Sequence, residues 1–182
     1  PPQLFDQARD GVVDIIWTVP TYAAGRFTKS EVFELPFMAA TAKTGSQALW
    51  AYVQKNAVDE FKGTHLLFMH VHDGALMHFR DKTPTRLEDL KGLKVRTMEN
   101  PVHVAAYKGL GIVTTPMAMA EVFTALQQGT VDGQENPLSV IMAAKLDQVQ
   151  KHLSLTGHVY SPAVLLMNKA MFDKLSAADK QA

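Results

Sequence analysis

The chain has no cysteine in 182 residues, which removes thiol catalysis, thiolate metal centres and disulfides from consideration. It also lacks any excess of charge, with 18 basic residues against 18 acidic ones. No global field therefore exists to hold nucleic acid or an anionic membrane, and partners must be recognised locally. No apolar run approaches the ~20 residues of a membrane-spanning helix, and the first residues, Pro1-Pro2-Gln3, are not a basic and apolar targeting segment. Catalytic signatures are equally scarce. No serine sits in a Gly-x-Ser-x-Gly elbow, and no glycine-rich loop is built to cradle phosphate.

With 47% apolar residues, the chain can bury one good core or two small ones. Its organisation is that of an α/β protein. Leu4-Phe5, Gly11, Val13 and Asp14 recur with the spacing of Val122-Phe123, Gly129, Val131 and Asp132. In each copy a short amphipathic helix ends at a glycine and an apolar strand follows. Two such steps predict two similarly built lobes, each a mostly parallel sheet flanked by helices. The pattern places part of a first lobe at 1–76, a second lobe at 77–157, and at 158–182 a return strand with the start of a helix rejoining the first. Helices are expected over Ser46–Val58, Pro101–Leu110, Glu121–Gln128 and Pro137–Val149, and strands over Thr64–Val71, Leu93–Thr97, Ile112–Thr114 and Leu155–Met167. Pro2 suits the first turn of a helix under way at Leu4–Ala8, and Ser176–Ala182 reads as a helix beginning. The chain is thus expected to be a fragment cut at both ends, any export signal having been removed.

Chemistry is concentrated where Glu-Asn-Pro ends a strand and opens a helix, at Glu99-Asn100-Pro101 and Glu135-Asn136-Pro137. In both, Pro takes the first helical position and Asn is placed as its cap. Helix starts at the carboxyl ends of parallel strands are where open α/β sheets bind ligands, and their unpaired N–H groups favour anions. Arg96 stands at the end of the strand before the first of these. A guanidinium there can grip a carboxylate with two parallel hydrogen bonds, with the Asn136 amide nearby. An ordinary surface ion pair would account for Arg96 equally well, and a helix cap alone would account for Asn136.

The stretches Leu90-Lys91-Gly92-Leu93-Lys94-Val95-Arg96, Thr115-Pro116-Met117, Glu121–Gln127 and Val131-Asp132-Gly133-Gln134-Glu135-Asn136-Pro137 together resemble the signature of TRAP-transporter solute receptors, the dicarboxylate-receptor-like family. Asp10–Ile15, Glu34-Leu35-Pro36-Phe37 and Val149–Thr156 extend the resemblance across the chain in order. It implies a non-catalytic periplasmic receptor, two-lobed and hinged, that takes a small organic carboxylate between its lobes and delivers it to membrane subunits without any cofactor. It implies that Arg96 forms the bidentate salt bridge to the ligand and that Asn136 hydrogen-bonds the same group. Family members usually carry an aromatic where this chain has Met119, which keeps an apolar contact in place of stacking. Many carry a second basic residue ahead of Leu-Lys-Gly-Leu-Lys; Lys82 is the nearest match and Arg80 its rival.

The internal repeat adds one expectation. Aligning Asp14 with Asp132 sets Trp17-Thr18 opposite Glu135-Asn136 across the cleft, which makes Trp17 a pocket wall and favours a ligand with a flat or apolar body, an aromatic or keto acid. A core position for Trp17 is the alternative. Tyr22, Phe27, Phe37 and Tyr160 are further wall candidates. The rival reading is a metal-dependent hydrolase. A strand ending in His70-Val71-His72 puts two imidazoles on one face, where both could ligate one ion.

Overall fold

The computed structural model describes residues 3–23 and 25–181; the reading of Pro2 as part of the first helical turn lies outside them. The chain opens with α1 (Leu4–Arg9), β1 (Ile15–Thr18), α2 (Ala42–Asn56) and β2 (Thr64–Val71). β3 (Leu76–Phe79), β4 (Lys94–Thr97), α3 (Pro101–Gly109), β5 (Val113–Pro116), α4 (Met119–Gln128), β6 (Gly133–Asn136), α5 (Leu138–Ala143) and β7 (His152–Ser154) follow. β8 (Pro162–Asn168) and α6 (Lys169–Lys174) close the order.

The strands form two sheets, one ordered β1-β8-β2 and the other β5-β4-β6-β3-β7. In each, a single strand runs against the rest. β8 lies antiparallel between β1 and β2, and β3 lies antiparallel between β6 and β7. β4 pairs in parallel with both β5 and β6. The reversed strands are the ones the chain enters just after it passes between sheets. Those two crossings, 72–75 and 155–161, lie side by side, with the Ala75 N–H donating to the Val159 carbonyl at 2.9 Å and the His72 N–H to Ser161 at 3.2 Å.

The sequence repeat is built as two equivalent steps. α1 and α4 end at Gly11 and Gly129, both at φ 75°, a left-handed turn that costs glycine little and lets β1 and β6 start in similar ways. α2 is capped by Thr41, whose hydroxyl accepts from the Thr44 N–H at 3.1 Å, and it buries Leu49 and Val53 against β2. Its start precedes the expected Ser46 because that cap, not the apolar spacing, sets the first turn.

Three apolar clusters fill the molecule. One gathers Phe5, Phe27, Leu49, Phe61, Val164 and Leu166 beneath the first sheet. The others, around Val122, Leu126 and Leu146 and around Met77, Phe79 and Val95, both belong to the second. None of them spans the two sheets.

Two expectations are corrected. The helix predicted over Pro137–Val149 stops at Ala143, because Lys145 adopts a left-handed conformation (φ 55°) and only a short turn, Leu146–Gln148, follows. The strand predicted over Leu155–Met167 begins at Pro162, since 155–161 is taken up by the crossing.

Gly133 shows how tightly β6 is held. A methyl group there would fall on the His78 carbonyl oxygen and within 2.6 Å of the Phe79 ring. We expect Gly133→Ala to lower stability by about 3 kcal/mol, as overpacking against backbone does, read as a drop in the urea midpoint with an unchanged slope.

Candidate functional site

Between the sheets lies a cavity of about 250 Å³. One side is formed by Leu4, Trp17, Thr18, Val19 and Tyr22, the other by Met98, Met119, Glu135, Asn136 and Val140, with His72 at the crossing. The repeat thus puts Trp17-Thr18 and Glu135-Asn136 on opposing walls, since each pair ends the strand that follows a glycine-capped helix. The lining is mostly apolar, with polar groups from Thr18, Tyr22, His72, Glu135 and Asn136. Phe27 is instead core at 1% exposure, Phe37 is 98% exposed, and the Tyr160 hydroxyl donates to the Ala40 carbonyl at 3.2 Å; none of these three lines the cavity.

Arg96 sits behind the wall rather than on it. It is 1% exposed, and its Nε and Nη2 donate to the Met117 carbonyl at 3.0 and 2.9 Å. Among the described residues it forms no ion pair. The neighbouring carboxyl, Glu135, is held above the usual carboxylate range by burial and by Glu34, against the opposing pull of His103 and Arg96. A buried guanidinium without an acidic partner is costly, and an incoming anion relieves that cost.

Asn136 is not a helix cap. Pro137 occupies that position before Leu138, and the Asn136 amide donates to Gln134 Oε1 at 2.5 Å. Its companion Asn100 does cap, accepting from the N–H groups of Val102 and His103 at 2.7 and 3.2 Å. Met119 lines the cavity from the first residue of α4. Arg80 and Lys82 do not line it. The Arg80 guanidinium lies against Gly129 and 3.8 Å from Asp81, and Lys82 is exposed on the loop after β3.

Trp17 is half-exposed, and its indole N–H donates to His70 Nε2 at 3.1 Å while His70 Nδ1 faces the Val71 carbonyl at 3.1 Å. His72 accepts from the Ser161 N–H through Nε2, and its Nδ1 faces the Asp73 carbonyl at 2.6 Å. Both rings therefore spend both nitrogens inside the protein. Burial also lowers the pKa of His72 and keeps the ring neutral. Among the described residues no group of three or more His, Asp or Glu side chains could hold a metal ion, so the hydrolase reading has no site.

The model of the bacterial extracellular solute-binding protein family 7, DctP, matches residues 1–182. The chain belongs to this family. A solute-binding protein of Verminephrobacter eiseniae is 56% identical over 156 residues, covering 85% of this chain and 47% of that protein. A TRAP solute-binding protein of Rhodoferax ferrireducens, solved with copurified benzoate, superposes with a TM-score of 0.92 at 39% identity, over 99% of this chain and 57% of that one. A marine metagenome TRAP solute-binding protein specific for aromatic acid ligands, solved with metahydroxyphenylacetate, gives a TM-score of 0.92 at 38% identity over 100% of this chain and 58% of that one. The chain spans about half the length of the relatives it matches.

Sequence reasoning passed over Leu4, Val19, Met98 and Val140. They are ordinary apolar residues whose shared wall arises only from long-range packing. His72 was visible in the sequence, but as a candidate metal ligand.

One further histidine flanks the crossing. His158 faces the Tyr107 hydroxyl at 2.6 Å through Nε2 and Thr156 Oγ1 at 2.8 Å through Nδ1. Burial, helped by the charge of His103, lowers its pKa to about 4 against a smaller opposing backbone contact. A depressed imidazole leaves the unfolded chain binding the extra proton first. Its stabilising contribution is complete above the ordinary value near ~6.5 and is lost as pH falls toward about 4, at up to ~1.4 kcal/mol per pH unit. NMR of the His158 ring should show no titration down to about pH 5. A midpoint near the ordinary histidine value would contradict the buried arrangement.

Proposed function

We propose that this chain forms the ligand-holding part of a periplasmic TRAP-transporter receptor, a binding protein without catalytic role, which captures a small monocarboxylate with an aromatic body. The lobes follow the division 1–76, 77–157 and 158–182, and the ligand enters between them. The observation that carries the reading is Arg96, a buried guanidinium with no ion pair among the described residues, lying directly behind a largely apolar cavity.

The roles follow from position. The ligand carboxylate pairs with Arg96, oriented by its two bonds to Met117, and takes a hydrogen bond from Asn136. Trp17 and Tyr22 on one side and Met98 and Met119 on the other enclose the body. At about 250 Å³ the space falls below the ~300–1,000 Å³ common for drug-sized ligands, which favours a single-ring acid. The two solved relatives that hold benzoate and metahydroxyphenylacetate support this class. Lys82 and Arg80 take no part in holding the ligand. By touching both walls, the acid favours the closed arrangement that the membrane subunits then engage.

Calorimetry on the full-length receptor with benzoate tests this. Arg96→Ala is expected to weaken binding by roughly 2–5 kcal/mol, as when one partner of a buried charge pair is removed, and Lys82→Ala to leave it unchanged. Trp17→Ala should cost benzoate about 1–3 kcal/mol while changing the binding of a short aliphatic acid much less. Full affinity in Arg96→Ala would refute the assignment.

A further inference from the structure

Among the described residues the two halves share no buried apolar cluster. A buried set of polar contacts links them. Glu34, 1% exposed in the short turn Ser30–Glu34, accepts from the Thr21 hydroxyl at 2.5 Å, the Ser161 hydroxyl at 2.7 Å and His103 Nε2 at 2.9 Å. The Asn100 amide in turn donates to Thr21 Oγ1 at 3.0 Å. Thr21, Glu34 and Ser161 belong to the β1-β8-β2 half, whereas Asn100 and His103 open α3 in the other. All five residues are buried, at 0 to 3% exposure.

This joint is attached to the ligand site through a short piece of backbone. β4 ends with Arg96 and Thr97, Met98 lines the cavity, and Asn100 caps α3. Whatever fixes Asn100 and His103 against the first half also fixes where the end of β4 stands relative to Trp17 and Tyr22. Resting on the ligand-binding reading above, we propose that Glu34 is a positioning residue, a clasp between the halves that holds the Arg96 strand end and the start of α3 in the arrangement that grips the ligand. It never touches the ligand.

Thr21 and Ser161 donate to Glu34 from its own half, so parting the halves removes the His103 bond to Glu34 and the Asn100 bond to Thr21, and only the joined state keeps the whole set of buried contacts. A hydrophobic seam would be stronger but less selective between the joined and parted states. The clasp also carries a sign that can be tested. Nε2 of His103 donates to Glu34 in either charge state, so the extra proton goes to Nδ1, which is buried and has no partner among the described residues. Burial and Arg96 oppose that proton, while the Glu34 hydrogen bond and the charges of Glu34 and Glu135 favour it, and the balance raises the pKa. The other titratable neighbours are Tyr107, one turn along, and the rings of His72 and His158, both held neutral by burial. A raised imidazole adds its hold fully below the ordinary value near ~6.5 and loses it as pH rises through the raised one.

The test uses the full-length receptor, with benzoate as probe for affinity and spin labels at Lys55→Cys and Lys108→Cys for the distance between the halves. Glu34→Gln is expected to weaken benzoate roughly ten-fold or more and to lengthen the label distance in the ligand-free protein. Wild-type affinity should fall between pH 6 and pH 8.5, and His103→Gln should flatten that profile. Unchanged affinity and distance in Glu34→Gln, or a pH profile that survives in His103→Gln, overturns the clasp. Should Glu34→Gln not fold, Ser161→Ala removes one donor and must show the same changes in smaller measure, or the proposal fails. If wild-type protein binds no benzoate, the aromatic-acid reading fails, yet the ligand-free distances still decide for or against the clasp.

Discussion

The proposed site depends on one positive charge, Arg96, buried with no ion pair among the described residues. Arg96 is 1% exposed, and among the described residues its side chain donates to one partner, the Met117 carbonyl. A carboxylate placed against it inside the protein would neutralise it permanently and close the site. Glu135, whose carboxyl feels the Arg96 charge, is itself pushed by burial toward the neutral form. On the reading proposed above, the free energy of leaving that guanidinium without an ion pair becomes available when a ligand carboxylate arrives.

That arrangement depends on how the two halves are joined. Each sheet has its own apolar core, and the chain passes between them twice, in adjacent hydrogen-bonded segments. A seam of polar contacts, with Glu34 at its centre, can be made and broken at lower cost than a shared core, because water satisfies the parted groups. On the proposed reading, binding depends on the relative position of the halves.

Much of this was legible in the sequence. The continuous apolar run Thr64–Val71 is the strand it suggested, and the glycine-capped repeats became α1–β1 and α4–β6. From them followed the opposition of Trp17 and Glu135, because equal steps place equal residues at equal strand ends. Arg96 was legible as a motif, but its burial was not. Other features were hidden for definite reasons. Lys145 in a left-handed conformation carries no residue-type signal, so the helix after Pro137 was read as too long. Asn136 looked like a cap because Asn-Pro usually is one, yet its amide turns to Gln134. Glu34 and His103 are 69 residues apart in the chain and meet only in the folded state, and no local pattern announces that.

The most direct measurement is a crystal structure of the full-length receptor with benzoate. The account predicts the carboxylate oxygens about 2.7–2.9 Å from the Arg96 guanidinium, with the ring between Trp17 and Met119. A benzoate bound elsewhere, with Arg96 still held by the Met117 carbonyl alone, would contradict it.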